Sequence, residues 1–89
     1  MITQELLKQY FSYENGKLIR NFDYKGQKSG TCAGWINNVS RGKKYIRLSV
    51  CGKQIYLHQA IFIYHNGYLP KFIDHINGNS FDNRIETLS

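Results

Sequence analysis

The chain has 89 residues, with 12 Lys and Arg against 6 Asp and Glu, a formal charge of +6. That length admits one small domain and excludes a TIM barrel, a complete dinucleotide-binding domain or a two-domain enzyme. Hydrophobic residues at 42% and aromatics at 15% exclude a disordered basic tail and call for a packed core.

No apolar run approaches the ~20 residues that cross a bilayer, and the first ten residues, with Gln4, Glu5 and Lys8, do not read as a signal peptide. Cys32 and Cys51 form no CxxC pair, which argues against a disulfide framework or a structural zinc site. These features predict a soluble, cytosolic protein without a membrane partner. The excess positive charge points to nucleic acid, although a basic surface also serves solubility.

In chain order, Thr3 is an N-cap candidate, and Leu6, Leu7, Tyr10 and Phe11 follow at helical spacing, a short helix that packs the core. Asn15-Gly16 predicts a hairpin turn, with Leu18 and Phe22 in the second strand. Residues 23–34 read as a surface loop; Gly26, Gly30 and Gly34 do not have phosphate-loop spacing. Trp35 and Ile36 begin an extended segment, and residues 40–43 form a turn. From Lys44 to Val50 the pattern alternates, with Ile46, Leu48 and Val50 on one face and Tyr45, Arg47 and Ser49 on the other. Cys51-Gly52-Lys53 turns the chain, and Gln54 to Leu57 returns as the second strand of a hairpin. Arg41, Lys43, Lys44, Arg47 and Lys53 cluster on this hairpin near Tyr45 and Tyr56. Two readings stand for them, a surface that follows a phosphate backbone and a solvated strand face. His58 to Asn66, closed by Gly67, reads as a helix apolar nearly all round, hence a buried central helix, with His58 as a core histidine rather than a metal ligand.

The chemistry concentrates in Phe72-Ile73-Asp74-His75-Ile76-Asn77-Gly78-Asn79, followed by Asp82-Asn83-Arg84-Ile85-Glu86-Thr87-Leu88. The layout predicts a strand, a tight loop and a helix that opens at Asp82. A carboxylate can hold a hard divalent metal, and a neutral imidazole beside it can deprotonate water, a pairing suited to phosphodiester hydrolysis.

This string resembles the HNH endonucleases of phages and mobile elements, whose pattern is D-H-I-N-G-[ND]-x-x-D-N-R-I-E-N-L. Upstream, Gly52-Lys53, Leu57-His58, Ala60 to Tyr64, and Gly67 to Pro70 also look like that family. The resemblance implies a ββα-metal site with magnesium or manganese. In it His75 is the general base, Asp74 a metal ligand, and Arg84 and the basic hairpin face DNA or position backbone. Asn77, Gly78 and Asn79 shape the loop, and Asp82 and Asn83 open the helix.

Three positions depart from the family. Thr87 stands where it has an Asn that braces the loop, Gln59 where an Arg is common, and the family's last metal ligand falls about two helical turns beyond Leu88.

The overall expectation is an α+β fold, a single domain over residues 1–89. It has an N-terminal helix and hairpin region over 1–43, and a hairpin, core helix and incomplete HNH-like motif over 44–89. The leading functional expectation is a phage-type HNH relative that binds nucleic acid, double-stranded DNA first, and is catalytically incomplete. It would act in the cytoplasm of an infected or lysogenic bacterial host. The alternatives are an active nicking endonuclease completed by a partner chain or a longer form, and a counter-defence inhibitor of a bacterial nuclease or CRISPR complex.

Overall fold

The computed structural model describes residues 2–38, 44–73, 75, 76, 78 and 81–88. Helix α1 (Gln4–Tyr10) starts where expected, because the Thr3 hydroxyl accepts from the Leu6 amide at 3.2 Å. Strands β1 (Phe11–Glu14) and β2 (Lys17–Arg20) pair antiparallel around Asn15-Gly16. Both turn residues have positive φ, +45° and +86°, as a two-residue hairpin turn requires.

Phe22 lies outside β2, contrary to the sequence expectation. β1 begins directly after α1, so nothing extended lies opposite residue 22. Asn21 bonds back instead to the end of α1, its amide nitrogen to the Tyr10 carbonyl and its side chain to the Lys8 and Gln9 carbonyls. Phe22 packs its ring 5.1 Å from Tyr10. The loop that follows is exposed through Cys32, but its end is tied down: Arg20 reaches the Thr31 hydroxyl and the Cys32 carbonyl, both at 2.8 Å, and Ala33 is buried.

Strands β3 (Trp35–Asn38), β4 (Lys44–Val50) and β5 (Lys53–Tyr56) form an antiparallel sheet in that order. The alternation read along β4 sets its faces. Leu48 and Val50 are buried, and Ile46 packs against the same core. Cys51-Gly52 turns with two positive φ angles.

Helix α2 (Leu57–Asn66) follows β5 without a loop, so Leu57 is its first residue rather than the end of the strand. Gly67, at φ +82°, closes it through an amide bond to the Ile63 carbonyl. Leu57, Ala60, Ile61 and Ile63 are buried, whereas His65 and Asn66 are exposed. The helix is central to the core, yet buried on a stripe rather than all round. Leu7 from α1, Leu18 from β2 and Leu88 join it there, so both sheets and both helices share one core.

The expected C-terminal helix is absent among the described residues. Only a 3-10 turn forms, Ile85–Thr87. The Thr87 hydroxyl donates to the Asp82 carbonyl at 3.1 Å and the Arg84 carbonyl at 2.8 Å. The Asp82 carboxylate accepts from the Arg84 amide at 3.4 Å as well as from the Arg84 guanidinium. Side chains that bond the local backbone compete with α-helical bonding. The segment is held instead by an isolated bridge between His75 and Leu88 and by the Ile76 amide on the Thr87 carbonyl at 2.7 Å.

Candidate active site

His75 sits where this bridge meets a tight turn, closed by the Gly78 amide on the His75 carbonyl at 2.8 Å. Its Nε2 lies 2.9 Å from Asn83 Oδ1. An amide oxygen only accepts, so Nε2 is the ring nitrogen that donates in this bond. Asn83 is 2% exposed, so this bond holds the ring from inside the core.

The segment carrying Asn83 is braced from the N-terminal hairpin. The Ile85 amide donates to the Tyr13 hydroxyl at 3.0 Å. A Cβ on Gly16 would lie 2.8 Å from the Arg84 nitrogen, so only glycine lets that turn approach.

His58, on the first turn of α2, faces His75 with ring centroids 4.9 Å apart. Burial, and then the neighbouring His75, push its pKa down to about 4, so it is neutral at pH 7. Tyr56 stacks on His58 at 5.6 Å, and Tyr45 lies 5.8 Å from His58 and 6.2 Å from His75. With Lys71 and Phe72 these residues line an open groove of about 400 Å³. A larger cavity, about 720 Å³, lies between α1, β5 and the end of α2; its lining includes neither His58, His75 nor any residue of the Asp82–Leu88 stretch. Chemistry, rather than volume, favours the smaller groove.

The expected site residues fall into three groups. His75 and Gly78 are at the groove, with Asn83 behind His75. Asp74, Asn77, Asn79, Arg41 and Lys43 lie outside the described residues. The remaining residues are distributed around the fold. Arg47 lies on β4 with its guanidinium 4.7 Å over the Tyr56 ring. Lys44 starts β4, whereas Lys53 starts β5 at the other end of the hairpin, about 20 Å away at ~3.4 Å per residue. Arg84 turns its guanidinium to Asp82 in two bonds of 2.8 and 2.7 Å, which pushes its pKa up.

Thr87, where the pattern that the sequence resembles has Asn, fixes the turn through its own hydroxyl and carbonyl, while Asn83 holds His75. The sequence reading missed His58 as a site residue. The signal was the Leu57-His58 pair at the strand–helix junction, which belonged to the resemblance but was read as core.

HNH enzymes typically use a divalent metal. Among the described residues no three His, Cys, Asp or Glu side chains gather to hold one. Among the described residues, the side-chain donors lining the groove are two imidazoles, two tyrosine hydroxyls and the Gln59 amide, a poor set for magnesium, which prefers oxygen from carboxylates. These residues by themselves do not make such a centre. No described helix is long and apolar enough to cross a membrane.

Residues 55–88 match the family model of HNH endonucleases. The match covers β5 from Ile55, all of α2 and the segment through Leu88, and so includes His58, His75 and Asn83 together. No curated protein and no solved structure matches the chain.

Proposed function

We propose that this HNH-related chain binds nucleic acid along the groove beside His75 and that His75 is the general base of phosphodiester hydrolysis there. The observation that carries the reading is the 2.9 Å bond from His75 Nε2 to buried Asn83. It makes Nε2 the donor, so that Nδ1 is the nitrogen left to act as the base of the proposed step. In the proposed step Nδ1 takes a proton from water as the water oxygen bonds to phosphorus. The P–O bond to the leaving sugar oxygen then breaks, and that oxygen takes a proton from solvent. Arg47 and Lys71 supply positive charge for the phosphates beside the groove.

A paired binding and cleavage assay on plasmid DNA, with and without manganese, tests the reading. Salt-sensitive binding together with manganese-dependent cleavage supports it. Salt-sensitive binding without cleavage, at protein and metal in large excess, would leave a binding protein and remove the hydrolytic half. Absence of both at low salt would overturn the reading whole.

A further inference from the structure

The sheet face that leads into the groove carries an arrangement that extends beyond the hydrolytic site. Trp35 on β3 and Tyr56 on β5 are both register partners of Arg47 on β4. Directly paired residues share a sheet face. Trp35, Arg47 and Tyr56 therefore form one row across the three strands, spanning two strand spacings, about 10 Å. This row lies on the face opposite Leu48 and Val50, which point into the core.

The row sets an indole, a guanidinium and a phenol side by side. Trp35 is 42% exposed and makes no ring contact with a described residue. The Arg47 guanidinium lies 4.7 Å over the Tyr56 ring. Its Nε is shut off from water and has no hydrogen-bond partner among the described residues. An arginine held over a ring at the cost of an unmet donor offers a flat cationic surface. Tyr45, on the same face one row along, and Tyr56 both line the His58–His75 groove. The platform and the groove are thus continuous.

We infer that this face is a base-stacking platform for an unpaired nucleic-acid strand, which it leads to His75. The inference rests on the nucleic-acid reading above and names the form of the strand that the sheet face holds. Charge selects the polymer: the chain is +6, Arg47 lies in the row over the Tyr56 ring, and Lys71 lines the groove. The ring surfaces select the unpaired form. A duplex offers groove-facing base edges and hides the faces of its bases, whereas an unpaired strand offers a π-face at every base.

Trp35 is the one tryptophan of the chain, so it reports on the platform directly. The test is a low-salt titration, read by Trp35 fluorescence, with an oligothymidylate of about 16 nucleotides, the upper end of single-strand site sizes. A duplex of equal length is titrated in parallel. The single strand is expected to quench Trp35 and to bind more tightly than the duplex. Trp35→Ala, followed by anisotropy of a labelled oligothymidylate, is expected to weaken binding about 5- to 100-fold. Equal or tighter duplex binding, or single-strand binding without quenching, would overturn the platform. If either result came with manganese-dependent plasmid cleavage, the proposed function would stand and the platform alone would fall. Quenching by the single strand without any cleavage would do the reverse to the hydrolytic half. No binding of either oligomer would overturn the platform as well.

Discussion

His75 and Asn83 are eight positions apart in sequence, and one hydrogen bond makes them a unit. The histidine offers two nitrogens, and the amide oxygen occupies the one that carries the proton. Asn83→Ala would take the acceptor from that half-buried N–H, a loss of about 1 kcal/mol. Denaturant unfolding should show this loss. Long-range proton–nitrogen NMR should find His75 protonated on Nε2 in the natural sequence and in mixed tautomers in the variant. A natural protein protonated on Nδ1 would remove the argument for the base.

His58 behaves differently, because burial and the adjacent His75 keep it uncharged. Its folded pKa of about 4 lies below its ordinary 6.5. Between these values the unfolded chain takes up a proton that the folded chain refuses. Its contribution to stability is therefore full above pH 6.5 and is lost as pH falls toward 4. Among the described residues, the rings facing it are His75, Tyr45 and Tyr56. Melting temperatures across that window should fall further for the natural protein than for His58→Leu. Parallel curves would contradict a depressed pKa.

At the scale of elements, the turn of the β1–β2 hairpin is a strut for the motif. Gly16 closes that turn and seats against the Arg84 nitrogen. Gly16→Ala adds a side chain where φ is +86° and where the new Cβ would meet backbone at 2.8 Å. The expected cost exceeds about 1 kcal/mol. The measurement is thermal unfolding of Gly16→Ala beside Gly26→Ala. Gly26 also has a positive φ but has open space around it, so Gly16→Ala should lose more. Equal losses would mean that the hairpin does not support the motif.

The same elements explain what could be read in advance. β4 was legible because its alternation is local and its face is decided by one core. Asn15-Gly16 was legible because only certain residues tolerate the turn. The segment after Asp82 was misread because a capping residue followed by Ile85 and Leu88 also fits a helix. The outcome depended on where the Thr87 hydroxyl and the Asp82 carboxylate found partners. Phe22 was misread for want of knowing that α1 runs straight into β1, which leaves no strand opposite it.

Over the whole molecule, the site is a meeting of distant parts. Tyr45 comes from β4, His58 from α2 and His75 from the motif, and they converge only because both sheets and both helices share one core. No spacing rule foretells that convergence, so His58 looked like a buried histidine while His75 stood out by its motif. The groove joins a braced imidazole, inside the stretch that matches the HNH endonuclease model, to a cationic, aromatic sheet face that extends beyond that stretch. The most direct measurement of what that union does is the rate of plasmid nicking by His75→Ala, beside the natural sequence, in manganese and at matched folded concentration. A general base accounts for about 10²–10⁴ in rate, so nicking by the variant should fall by at least about 100-fold. A variant that nicks at the natural rate would contradict the assignment of His75 as the base.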